Sequence, residues 1–178
     1  MCNLVRKLHI GCGRKILKGY VNLDSVKLSG VDVVHNLDIF PYPFKDNTFD
    51  EILGEHILEH VDDLIKTLEE LWRIMKPNGI LRVTVPYYNT QAAFQDPTHK
   101  RFFALTTFDY FKPDSPYGYY AKCVWDIVKR EPTPTSFGKL IPKFMRDKAS
   151  IVLGEVYASV YFELRAVKGR STYKEKPT

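Results

Sequence analysis

The chain has 178 residues, a formal charge of +5, and 44% hydrophobic against 26% charged residues. That length suffices for one domain burying roughly 70% of the surface its unfolded form would expose, and the composition excludes disordered, collagen-like and coiled-coil chains. No apolar run approaches the roughly 18 residues of a membrane span, and the segment MCNLVRKLHIGCG has no signal-peptide core, so no membrane partner is expected and a cytoplasmic location is. Cys2, Cys12 and Cys123 are three in number and widely separated, which argues against a disulfide framework and against a four-ligand zinc site. Lys139, Lys143, Arg146 and Lys148 form a basic stretch, but an excess of this size reads as a solvated surface, and nucleic acid is disfavoured as a partner.

From Leu8 to Asp24 the chain reads LHIGCGRKILKGYVNLD. Leu8, His9 and Ile10 end a buried strand, and Gly11 and Gly13 permit the tight turn that brings backbone N–H groups against a ligand. Tyr20 to Leu23 form a second strand, which places Asp24 where a carboxylate can accept both hydrogen bonds of a ribose diol. Only Arg14 to Gly19 separate the glycine turn from that strand. They span at most about 20 Å, enough to cross back along a short strand but too few for a crossover helix.

Val31 to Asp38 (VDVVHNLD) reads as a third strand ending in an acid, and Phe49 to Leu53 as a fourth that leads into GEHILEHV. Leu64, Ile65, Leu68, Leu71, Trp72 and Met75 lie on one face of a helix over Asp62 to Lys76, with Asp62 or Asp63 as cap and Pro77, Asn78 and Gly79 as stop. Ile80 to Val85 reads as a fifth strand. This alternation predicts an α/β, doubly wound parallel sheet with ligands outside the carboxyl ends of its strands. Residues 87–120 are rich in aromatics and read as a loop region covering a substrate, while Val124 to Arg130 and Val156 to Lys168 are late strands. The expected organisation is one domain over residues 1–168 and a flexible tail over 169–178.

In that order these segments resemble the class I S-adenosylmethionine-dependent methyltransferases, in particular a small subgroup (methyltransferase type 11-like) that also carries a segment like DPTHKRFF. The resemblance covers roughly residues 6–112. It implies a Rossmann-like, mostly parallel seven-stranded sheet with an antiparallel C-terminal strand, here with the first crossover helix shortened or absent. By position it implies that Asp24 holds the ribose hydroxyls, that Asp38 accepts from the adenine amino group and that the Ile39 backbone meets the ring. Backbone groups of Gly11, Gly13 and Gly54 would surround the methionine part, with Cys12 lining the turn and Glu55 near the ammonium. The blander reading of Asp24 and Asp38 is that they end strands.

The implied activity is methyl transfer to a small-molecule or glycan-like acceptor, with oxygen slightly favoured. A nucleic-acid methyltransferase would show DPPY or NPPY after the fourth strand, whereas Val85-Pro86-Tyr87-Tyr88 follows the fifth. A non-catalytic module that binds the cofactor for regulation is the alternative. His56 to His60 also fits HxxEH, a zinc-hydrolase signature with two histidines on one helical face, but no third ligand follows from spacing and no metal is expected. His56 and His99 are the candidate bases for a hydroxyl acceptor. Tyr87, Tyr88 and Asn89 are expected to line the acceptor, and Lys100 and Arg101 to meet an anionic group on it.

Overall fold

The computed structural model describes residues 5–169. The expected tail over 169–178 therefore falls, but for Gly169, outside the described residues, as does Cys2. Seven strands form one sheet: β1 (Lys7–Ile10), β2 (Val21–Asp24), β3 (Val33–Val34), β4 (Phe49–Glu55), β5 (Met75–Pro86), β6 (Trp125–Pro134) and β7 (Tyr157–Ala166). Their order is β3-β2-β1-β4-β5-β7-β6, with β1 to β5 mutually parallel and β7 antiparallel to both neighbours. This is the expected mostly parallel sheet with an antiparallel C-terminal strand.

Four short helices accompany it, α1 (Leu64–Ile74), α2 (Gln91–Gln95), α3 (Ser136–Leu140) and α4 (Arg146–Val152). The β1–β2 crossover is the expected loop, and the β2–β3 and β3–β4 connections carry no helix either. The strand pattern gives the reason. One face of the sheet holds Leu8, Ile10, Ile52, Leu81, Val83, Phe162 and Leu164, all inaccessible to solvent, and α1 lays Leu68, Leu71 and Ile74 onto it. The alternate residues on the other face are largely polar: Arg82 bridges Glu51 and Glu163, and the hydroxyls of Tyr20 and Tyr161 donate to those two carboxylates. A crossover helix on that side would have little apolar surface to bury.

Several bounds differ from the sequence reading. The third strand contracts from Val31–Asp38 to Val33–Val34 because it lies at the sheet edge, where Val34 is half exposed and only Leu23 and Asp24 offer partners. Helix α1 begins at the Asp63 cap, whose carboxylate accepts from Lys66 N at 3.0 Å, and ends at Ile74 as Met75 enters β5 opposite Phe49. The Pro77-Asn78-Gly79 stop thus forms an irregularity inside β5. Strand β6 runs on to Pro134, and β7 is trimmed to Tyr157–Ala166. The aromatic region 87–120 contains α2 and two short 3₁₀ segments, Thr107–Phe111 and Gly118–Tyr120, and its Phe103, Phe108 and Phe111 are buried in the core.

Candidate functional site

A cavity of about 300 Å³ opens at the carboxyl ends of β1, β2 and β4, lined by Gly11, Asp24, His35, Asp38, His56, Ile57 and His60 among others. That is where a doubly wound sheet places its ligand and is within the usual range for a small-molecule site. Gly11 and Gly13 both lie in the left-handed region, at φ +60° and +50°, and the turn they make folds against β2: Cys12 N donates to Leu23 O at 3.0 Å and Gly13 N to Asp24 Oδ2 at 2.8 Å. Asp24 Oδ1 accepts from Val26 N at 3.0 Å. Each carboxylate oxygen keeps lone-pair capacity beyond one backbone donor, so Asp24 can hold its own turn and still accept from a diol.

Asp38 faces the same cavity, though from a loop and not from the end of a strand. Its Oδ1 accepts from Asp62 N at 2.7 Å, which ties the loop after β3 to the start of the α1 segment. Ile39 is on the outside: its side chain is 59% exposed, its N–H donates to Asn36 O and its carbonyl is bonded to His35 Nε2, so its backbone is committed within the loop. Gly54, the last but one residue of β4, lies against Ile10 and Ile57, and the Glu55 carboxylate is paired with Lys15 on the glycine loop. Cys12 is 3% exposed, and burial, reinforced by Asp24, raises its thiol pKa.

The two candidate bases separate. His56 sits at φ +51° just before a single 3₁₀ turn (Leu58–His60), with its N–H on Thr84 O at 2.8 Å and its ring 55% exposed at the cavity. The buried Glu59 carboxylate, 3.3 Å from Nδ1, holds the imidazole above the usual histidine range. His56 and His60 therefore do not share a helical face, because one 3₁₀ turn stands where HxxEH requires a continuous helix. His99 is absent from the cavity wall: its ring is 9% exposed, packs edge-on against His60 at 4.8 Å and has Nδ1 on Ala93 O at 3.0 Å.

The residues expected around an acceptor are committed to the protein itself. Tyr87 is 3% exposed with its hydroxyl 3.1 Å from Ser150 Oγ, the Tyr88 ring packs on Tyr87, and Asn89 donates to the Ser150 and Leu153 carbonyls of α4 and its C-terminal end. Lys100 pairs with Asp62 at 2.5 Å, and Arg101 donates to the Val61 and Asp62 carbonyls. None of these five residues lines the cavity. The sequence reading missed His35, Ile57 and His60 as lining residues. Ile57 was legible in principle, because a residue that must fill the space left by a missing Cβ is expected to be apolar.

A model of the family described as methyltransferase domain matches residues 18–83. Among curated relatives, the human mitochondrial arginine-hydroxylase NDUFAF5 is 30% identical over 95 residues, covering 44% of this chain and 28% of that one. The uncharacterised protein MJ0638 of Methanocaldococcus jannaschii is 52% identical over 48 residues, covering 27% and 21%. The matches thus span about a quarter of the length of these relatives. Among solved structures, a SAM-dependent methyltransferase from Archaeoglobus fulgidus superposes with a TM-score of 0.67 at 16% identity, over 92% of this chain and 86% of that one. At that identity the likeness speaks for the fold.

Proposed function

We propose that the chain is a methyltransferase domain of the class I, S-adenosylmethionine-dependent kind and that it methylates a small-molecule or glycan-like acceptor, with oxygen favoured over nitrogen. The observation that carries this reading is the convergence of Gly11, Asp24, Asp38 and His56 on one cavity. The residues fit the cofactor: the turn at Gly11 presents bare backbone at the cavity wall, with Ile57 filling the place a Cβ would take, and the two carboxylates offer acceptors for a diol and an amino group.

When bound, S-adenosylmethionine supplies an electrophilic methyl group on a sulfonium. The chain has to orient the acceptor and, for an alcohol or phenol, to take up its proton. Positioning does most of the work in such a displacement, as held reactants avoid much of the entropic cost of encounter. In this reading Asp24 and Asp38 hold the nucleoside, and Glu55 is released from Lys15 to meet the ammonium. His56, at the cavity and carrying one ring nitrogen free of Glu59, accepts the acceptor's proton. Oxygen is favoured because a hydroxyl acceptor needs such a base at some stage, whereas a neutral amine attacks unaided.

The test is a screen with isotope-labelled S-adenosylmethionine against hydroxyl-bearing small molecules, oligosaccharides, amines and oligonucleotides. The expected result is label in a hydroxyl class. Label confined to amines or oligonucleotides would contradict the acceptor assignment, and cofactor binding without transfer to any class would favour a regulatory module.

A further inference from the structure

Glu59 is an anomaly that methyl transfer does not explain. It is inaccessible to solvent, yet neither carboxylate oxygen has a hydrogen-bond partner, and the His56 contact at 3.3 Å falls short of one in geometry. A solvent-inaccessible carboxylate whose one charged neighbour is the half-exposed His56 ring is poorly compensated, so a further group that takes up its lone pairs is expected at this position. Beside it stand His60 and His99, and one ligand atom from each of the three residues lies within 4.8 Å of the others.

The hydrogen bonds around the two imidazoles fix which nitrogens are free. His99 Nδ1 lies 3.0 Å from the Ala93 carbonyl, which can only accept, so Nδ1 carries the proton and Nε2 keeps its lone pair. The Thr98 hydroxyl donates to Asp96 Oδ1 at 2.7 Å and therefore accepts from His60 Nδ1 at 2.9 Å, which leaves His60 Nε2 free as well. Both rings are thus held by outer partners in the tautomer that metal-ligating histidines adopt. The backbone fixes the strap that carries His99: Lys100 N and Arg101 N both donate to Glu59 O, at 2.7 and 3.0 Å.

We propose that Glu59, His60 and His99 form a binding site for a divalent transition-metal ion. Two imidazoles and one carboxylate select this class over magnesium or calcium, which prefer all-oxygen shells. A tetrahedral ion with bonds of about 2.0–2.1 Å sets donors roughly 3.3 Å apart, so the side chains draw inward on binding. Three protein ligands leave a coordination position open. Because His60 belongs to both the cluster and the cavity wall, that position borders the cavity. The site differs from the HxxEH reading in using His99, distant in sequence, in place of His56.

The test is calorimetric titration of chelator-treated full-length protein with zinc ion, alongside the visible spectrum of the cobalt-loaded protein. One zinc per chain is expected, with affinity falling at least about a hundredfold in His60→Ala and in His99→Ala, and about tenfold in Thr98→Val, which touches no donor atom. His56→Ala should retain zinc within about tenfold, and cobalt should show the ligand-field bands of a low-symmetry nitrogen and oxygen site. Absence of stoichiometric zinc uptake by the parent would overturn the proposal. So would a His99→Ala variant that binds like the parent, or binding that depends on His56 and not on His99. Circular dichroism of each variant separates lost ligands from lost fold, and Thr98→Val together with the parent's cobalt spectrum decides the matter if a histidine variant does not fold.

Discussion

Gly11→Ala should cost the protein most of its affinity for S-adenosylmethionine. At φ +60° an alanine pays about 1–2 kcal/mol for the left-handed conformation. Its Cβ would also stand 2.5, 2.6 and 2.9 Å from three carbons of Ile57, an overlap of the kind that costs about 1–3 kcal/mol in a packed site. Ile57 lines the cavity, so relieving the overlap by moving it displaces the floor of the site together with His56. If about 2 kcal/mol or more of this strain falls on the binding-competent geometry, affinity drops about thirtyfold or more. Calorimetry on Gly11→Ala checks it, and Gly11→Ala with Ile57→Ala should recover the steric part but not the backbone part. A Gly11→Ala variant that binds like the parent would mean that the turn does not bound the cofactor site.

The second large effect is on turnover. His56→Ala should leave cofactor affinity within a few-fold of the parent and lower turnover of a hydroxyl acceptor about a hundredfold, the lower end of what a positioned base contributes. The reasoning is geometric: the ring is more than half exposed at the cavity, whereas His99 is turned away into the cluster with His60. Rate constants under saturating cofactor, beside separately measured cofactor affinities, distinguish the two effects. Equal turnover in parent and variant would place catalysis on positioning alone.

The parts of this site legible in the sequence were those carried by local pattern. The glycine turn, Asp24 at the end of β2 and the apolar stripe of α1 follow from backbone conformation and periodicity within a few residues, and the structure places them where those rules put them. The missing first crossover helix was equally plain, because Arg14 to Gly19 is too short to hold one. The polar sheet face was written in the alternation of β4, β5 and β7, but its meaning depended on register, which brings Arg82 opposite Glu163. The partners of Tyr87, Asn89, Lys100 and Arg101 were hidden for the same reason. Their polar groups are taken up by Ser150, Leu153, Val61 and Asp62, partners that only the folded chain supplies. His99 against His60 is a long-range contact too, and no spacing rule announces it.

The most direct test of the central claim is calorimetry of the purified chain with S-adenosylmethionine, S-adenosylhomocysteine and NAD in turn. A single short glycine turn with no helix behind it offers little to a pyrophosphate, while the cavity supplies two carboxylates and the glycine turn for a nucleoside and an amino acid. The account predicts stoichiometric binding of the first two and none of the third. Tight binding of NAD with no binding of S-adenosylmethionine would contradict it.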